Sequence, residues 1–307
     1  MNPVAVRIIR AYFSKVPDHP GKWKLWTMIN PHLRSGYFEA GGYPTSLGFE
    51  MLLTPDQYID RFIYYWGLWE PDETQFISSI LRSGDRFIDI GANAGYFTLL
   101  AARIVGARGR VEAFEPVPPT VQRLRHNVAR NGFRNVQIHE CATSREEGSV
   151  FIHQHGIGEV SGQNSMRVGT ERSGGWEVST RRIDHVISNT PPIRLMKMDI
   201  EGAELLALSG ASGILAGKEA PIVLCEVTDS YLRQLSGSAE ELYALMASYG
   251  YDYVYDCHNV SLTRLSPAEQ SRHVTQRNVV FAKQPLQENH HNSTESLHIA
   301  RRQRAKL

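Results

Sequence analysis

Residues Phe87 to Leu100 read F-I-D-I-G-A-N-A-G-Y-F-T-L-L. A short apolar run closes on Asp89, a glycine-punctuated turn spans Gly91 to Gly95, and an apolar helical pattern runs from Tyr96 to about Val105. The pattern predicts a strand, a glycine loop and a helix, the unit that brings backbone amides against a nucleotide-like ligand. Gly91 and Gly95 lack Cβ atoms, which permits a tight turn and close approach to the backbone. The loop reads G-x-x-x-G, with Asn93 where a dinucleotide fingerprint G-x-G-x-x-G carries its middle glycine. That glycine lets the backbone touch a pyrophosphate. Its absence points to a ligand without phosphates, such as S-adenosyl-L-methionine, and counts against a nicotinamide dehydrogenase.

Working outward, Gly109 to Phe114 predicts the next strand, ending in Glu115-Pro116. Glu115 stands twenty-four positions past Gly91, close to the roughly 20 expected of a ribose-gripping acid at the end of strand two. Arg194 to Glu204 reads R-L-M-K-M-D-I-E-G-A-E. Strand side chains alternate faces, so the spacing places Lys197, Asp199 and Glu201 together near the carboxyl end of a strand. Charges there are costly to bury unless paired, and that end is where open α/β sheets bind ligands.

These motifs, with I-V-L-C-E-V at 222–227, N-V-V-F-A at 278–282 and the lead-in G-L-W-E-P-D-E-T at 67–74, resemble the FkbM family of S-adenosylmethionine-dependent methyltransferases over roughly Gly67 to Lys283. The resemblance implies methyl transfer, most often to a hydroxyl of a sugar, glycan, lipid or natural product. In that frame Asp199 and Glu201 are the candidate base and acceptor anchor, and Lys197 orients or neutralises them. Asn93 and Tyr96 are expected at the methionine end of the cofactor, Asp89 beneath the loop, Glu115 with Pro116 at the ribose, and Cys141-Ala142 at adenine. The pattern requires no metal, although Asp199, Glu201 and Glu226 could supply oxygen ligands to a divalent cation. A catalytically silent cofactor-binding scaffold and an N-methyltransferase are the alternative readings. The Asn189-Thr190-Pro191-Pro192 stretch only superficially resembles an amino-methylating N-P-P-Y loop, since it precedes strand four and lacks the aromatic.

The chain has 307 residues and a net charge of +1, so no nucleic-acid surface is expected. Cys141, Cys225 and Cys257 form no C-x-x-C pair, which suggests reduced buried thiols and a cytoplasmic setting. No apolar run reaches the roughly 18 residues of a membrane span, and no signal peptide is read at the start.

The predicted fold is α/β, Rossmann-like and doubly wound: a mostly parallel seven-stranded sheet with an antiparallel last strand, preceded by a helical prelude. Strands are expected at 86–90, 110–114, 136–140, 194–199, 221–227, 251–255 and 278–282, and helices at 95–105, 118–131, 203–215 and 238–249. Residues 1–66 form the prelude, 67–283 the domain with an insertion at about 147–182, and 284–307 a polar, basic tail expected to be disordered. His153-x-His155 lacks a third ligand at useful spacing and is read as a surface strand rather than a zinc site.

Overall fold

Five of the described helices begin on proline: α1 (Pro3–Lys15) and α2 (Pro20–Ile29) in the prelude, and three more in the domain. Proline suits a first helical position because its fixed φ fits and its missing N–H has no partner there. The structure is a computed structural model. It describes residues 3–286 except 18, 34–37, 154–173, 189, 236, 259–260 and 271–275.

After α2 comes a short antiparallel hairpin, β1 (Gly41–Pro44) and β2 (Glu50–Leu53), then α3 (Tyr58–Trp66) and α4 (Pro71–Ile80). The prelude packs through aromatic rings. Phe13 of α1 and Trp26 of α2 lie 5.4 Å apart and meet Trp66 of α3 at 5.1 and 6.1 Å. Trp26 and Tyr65 are almost completely buried, each contributing about 1.5–3 kcal/mol by leaving water. This cluster is continuous with the domain core, reaching Leu99, Leu195 and Leu224.

The domain begins with β3 (Arg86–Ile90), α5 (Tyr96–Val105), β4 (Arg110–Phe114), α6 (Pro118–Arg130) and β5 (Val136–His139). A small second sheet follows, from β6 (Ala142–Thr143), β7 (Gly148–His153) and β8 (Gly175–Arg181), with β7 and β8 antiparallel. Here lies the described part of the predicted insertion; His155 falls outside the described residues. After the short α7 (Ile183–Val186) come β9 (Leu195–Met198), α8 (Glu204–Ser209), α9 (Ser212–Ala216) and β10 (Ile222–Val227). The chain then forms α10 (Asp229–Leu235), α11 (Ala239–Ser248), β11 (Tyr253–His258), β12 (Ser261–Arg264) and β13 (Arg277–Ala282).

The main sheet runs β12-β11-β13-β10-β9-β3-β4-β5. The block from β10 to β5 is parallel, and β13 inserts antiparallel between β10 and β11. The predicted Rossmann-like sheet is present. Its eighth strand, β12, is an edge addition that pairs only with β11 among the described residues. Helix 203–215 is in fact two helices. Gly210 sits where an added Cβ would lie 2.0 Å from the Ser144 carbonyl oxygen, so the chain turns at that crowded point. Among the described residues no helix is long and apolar enough to cross a membrane.

Candidate active site

Register brings the charged residues together. Asp89 of β3 and Leu224 of β10 both pair with Lys197 of β9. Two residues further along lie Gly91, Asp199 and Glu226, on the same face because strand side chains repeat with period two. The Asp199 N–H donates to the Ile90 carbonyl at 3.1 Å, extending the ladder past the strand end. An added Cβ on Gly91, which has φ +81°, would lie 2.0 Å from the Asp199 carbonyl oxygen. Gly91 therefore sets how closely the glycine loop approaches the acid-bearing strand.

Lys197 is 4% exposed. Its Nζ lies 3.3 Å from Asp199 Oδ2 and 4.7 Å from the centre of the Phe97 ring. Burial alone would lower its pKa, but Asp199, Asp89 and Glu70 outweigh that and raise it. Glu70, the residue before Pro71 of α4, joins this cluster from the start of α4 with φ +41°. Carboxylate oxygens of Glu70, Asp199 and Glu226 lie within 4.8 Å of one another. Burial, with neighbouring carboxylates, pushes the pKa values of Glu70 and Glu226 upward. Glu73 of α4 is buried nearby and is likewise raised, chiefly by burial. One ammonium thus faces an excess of acids, which hold protons or call for a cation. The oxygen-ligand set named from sequence was Asp199, Glu201 and Glu226; the converging trio has Glu70 in place of Glu201.

Asp89 is fully buried. Oδ2 accepts from the Thr98 hydroxyl at 2.6 Å, while Oδ1 has no hydrogen-bond partner among the described residues. Burial raises its pKa. The loop's own geometry is set by Asn93, with φ +50°, whose Oδ1 accepts from the Ala94 N–H at 2.7 Å. The Gly91 and Ala92 N–H groups both donate to the Phe114 carbonyl at 3.0 Å, tying the loop to the end of β4. Gly95, at φ +97°, begins α5 and would carry a Cβ 2.5 Å from Leu124 of α6.

Glu115 accepts the Asn93 N–H at 2.9 Å and the Val117 N–H at 3.0 Å. A carboxylate offers about four acceptor positions, so two remain for hydroxyls. Burial raises its pKa to about 7. Pro116 is half-buried beside it. Cys141 and Ala142 are buried, the latter packed with Val117, Ile152 and Val178, and burial pushes the Cys141 thiol up to about 11. Tyr96 is buried, its ring 5.5 Å from Phe49 and its hydroxyl 3.2 Å from that of Thr74 on α4. It therefore bridges the loop to the Glu70 helix.

Glu201 departs from the alternation that predicted it. The strand ends at Met198, and Glu201 occupies a turn at φ +52°. Glu204, which the sequence reading left without a role, holds this turn. Its buried carboxylate accepts the Ile200 N–H at 3.1 Å and the Gly202 N–H at 2.9 Å, and burial raises its pKa to about 7. The signal was present, since an acid at the start of a helix caps free amides. The sequence marks Glu70 only as the acid of the lead-in at 67–74; that it and Glu73 join the cluster depends on where α4 docks.

A parallel sheet with an inserted antiparallel strand, a glycine loop and an acid after its second parallel strand defines a Rossmann-like methyltransferase domain. The chain belongs to the family of the methyltransferase FkbM domain, whose profile matches residues 89–253. It is 26% identical over 146 residues to Methyltransferase 1 of Beauveria bassiana, covering 41% of this chain and 58% of that protein. It is 36% identical over 58 residues to protein-L-isoaspartate O-methyltransferase 1 of Archaeoglobus fulgidus, covering 19% and 27%. The chain thus spans little more than half of the first relative's length and about a quarter of the second's. Among solved structures, a SAM-dependent O-methyltransferase from Thermotoga maritima aligns with TM-score 0.38 at 14% identity over 81% of this chain and 80% of that one. A SAM-dependent methyltransferase from Aquifex aeolicus aligns with TM-score 0.38 at 12% identity, over 70% and 89%.

Proposed function

We propose that this chain transfers a methyl group from S-adenosyl-L-methionine to a hydroxyl oxygen on a sugar, glycan, lipid or natural-product acceptor. The observation that carries the reading is the convergence of Asp199, Glu70 and Glu226 around Lys197, one strand away from the glycine loop. The residues fit the cofactor. Asp89 keeps a fully buried oxygen without a hydrogen-bond partner among the described residues, and Glu115 has acceptor positions left for two ribose hydroxyls. Bound there, the cofactor supplies an already activated sulfonium methyl.

An alcohol is a weak nucleophile, so its proton must leave as the new carbon–oxygen bond forms. Asp199 accepts that proton on a carboxylate oxygen, Lys197 balances the charge, and Glu201 anchors the acceptor. Exclusion of water by the buried α4 and α5 faces strengthens each of these interactions. Family membership and this charge arrangement support the reading over a silent scaffold, in which desolvated acids would bring only destabilisation. A second reading places a divalent cation on Glu70, Asp199 and Glu226, favoured by the convergence of their oxygens and matched by the hard-cation preference for carboxylates.

The test is transfer of labelled methyl to sugar, lipid and secondary-metabolite fractions, by native protein and by Asp199→Asn. Native transfer that falls in the variant supports the reading. Cofactor binding without transfer to any fraction favours the scaffold. Activity abolished by a chelator and restored by magnesium selects the cation.

A further inference from the structure

Seven large hydrophobic side chains stand exposed among the described residues, and six of them lie between positions 4 and 28: Val4, Ile8, Val16, Trp23, Leu25 and Met28, with Phe151 the seventh. Scattered exposed apolar residues are ordinary, but concentration in one segment marks an interaction surface. On α1, Val4 and Ile8 are one turn apart and share a face, while Val6 and Phe13 are buried. On α2, Lys22 and Trp26 are 4% and 1% exposed, Leu25 and Met28 stand exposed, and Trp23 is 53% exposed while its ring lies 6.2 and 6.1 Å from those of Phe62 and Trp66 on α3. The inner residues Phe13 and Trp26 both rest on Trp66 of α3. Val4, Ile8, Leu25 and Met28 thus stay in solvent while Phe13 and Trp26 fasten the two helices to α3.

Charge identifies what these faces meet. Residues 3–33 contain Arg7, Arg10, Lys15, Lys22 and Lys24 against one acid, Asp18, a net +4. The whole chain carries +1, so the remainder carries −3. Arg7, Lys15 and Lys24 are exposed. Lys22 instead donates to the Val16 carbonyl and lies 4.6 Å from the Trp66 ring, so its charge belongs to the fold. Aliphatic residues, an indole and cations interleaved on short helices match an interfacial membrane element: apolar side chains enter the headgroup boundary and cations meet anionic lipid. A nucleic acid gains nothing from Val4, Ile8 and Met28. A second copy of the chain would set like charges face to face.

We propose that α1 and α2 form a peripheral docking surface for an anionic lipid bilayer. The helices lie in the interface and do not span it. This rests on the prelude alone and stands or falls independently of methyl transfer.

The experiment is flotation of the full chain with vesicles of phosphatidylcholine alone and of phosphatidylcholine with phosphatidylglycerol at about 7:3, at low and high salt. Three exposed cations, each contributing about fivefold on an anionic surface, predict a preference on the order of a hundredfold for the anionic vesicles, weakened by salt. Ile8→Gln with Met28→Gln leaves the charge unchanged and lies on exposed positions. It should reduce binding by at least tenfold with the unfolding midpoint unchanged. Trp23 emission should move to shorter wavelength on vesicle addition, read as the difference from Trp23→Phe. Equal flotation with both vesicle types, no flotation, full binding by the double variant, or displacement from vesicles by duplex DNA with the double variant still bound to DNA would each overturn the proposal.

Discussion

Replacing Gly91 by alanine tests whether the glycine loop positions the acids as well as the cofactor. Two separable penalties arise. Gly91 has φ +81°, a conformation in which an L side chain costs about 1–2 kcal/mol, partly offset by a less flexible unfolded chain. The added Cβ would also lie 2.0 Å from the Asp199 carbonyl oxygen, against an ordinary carbon–oxygen contact of roughly 3.3–3.6 Å. The loop and β9 must therefore part by about 1 Å, which in packed structure adds about 1–3 kcal/mol. Gly84 provides the control: it has φ +93° and nothing within 4 Å of an added Cβ. Gly84→Ala should lower unfolding free energy by about 1 kcal/mol, and Gly91→Ala by about 2–4 kcal/mol. A shift of 1 Å at a reacting centre typically lowers turnover about a hundredfold. Gly91→Ala should show that loss and weaken S-adenosyl-L-methionine binding, while Gly84→Ala leaves both unchanged. Urea unfolding and titration calorimetry read the two effects. Equal destabilisation by both substitutions, with cofactor affinity intact in each, refutes the contact as a determinant of the site.

Glu115→Ala should weaken cofactor binding by about 1.5–3 kcal/mol, as loss of charge-assisted hydrogen bonds does; unchanged affinity in a folded variant removes Glu115 from the ribose. Asp199→Asn and Glu201→Gln should lower turnover on the order of 10²–10⁴-fold with cofactor affinity nearly intact, and full turnover in both moves the base elsewhere. The pKa values of Glu115 and Glu204 are raised by burial to about 7, and Glu70, Glu73 and Glu226 are raised as well. The folded chain thus retains protons that the unfolded chain releases above the ordinary carboxylate range, so stability falls as pH rises toward 7 and beyond. Thermal unfolding of the cofactor-free protein should have a higher midpoint at pH 6 than at pH 8; the reverse order contradicts the assignment of these buried acids. Glu204→Gln loses the charge-assisted hold on the Ile200 and Gly202 amides and should reduce turnover through Glu201's placement, with little effect at Glu115, checked by comparing kcat with cofactor affinity.

The strand, loop and helix units were legible because their signals are local. Glycine spacing located the loop, and alternation located Lys197 and Asp199. The site's other half was not legible for the opposite reason. Glu70 reaches Asp199, and Glu73 lies buried nearby, only because α4 packs against α5 and β11, and no periodicity in 67–80 carries that placement. Glu201 lay within a correct motif, but period-two reasoning ran past the strand end into a turn. The second helix of the prelude went unread because its inward residues include Lys22, a buried cation that interrupts an apolar pattern. The break between α8 and α9 depends on the Ser144 carbonyl, a neighbour distant in sequence.

Three non-glycine residues among those described hold positive φ, namely Glu70, Asn93 and Glu201. Glu70 lies in the acid cluster, Asn93 in the glycine loop and Glu201 in the turn after β9. Glycine at each position would relax the backbone, by about 1 kcal/mol or more for the glutamates and less for asparagine, which tolerates this conformation. A programme that selected this chain for heat resistance alone would therefore drift toward glycine at positions 70, 93 and 201. Under the roles proposed for Asn93 and Glu201, it would yield a sturdier fold that holds cofactor and acceptor less well. On that proposal thermal tolerance and methyl transfer compete at these positions, and a library scored on both would show the trade-off directly.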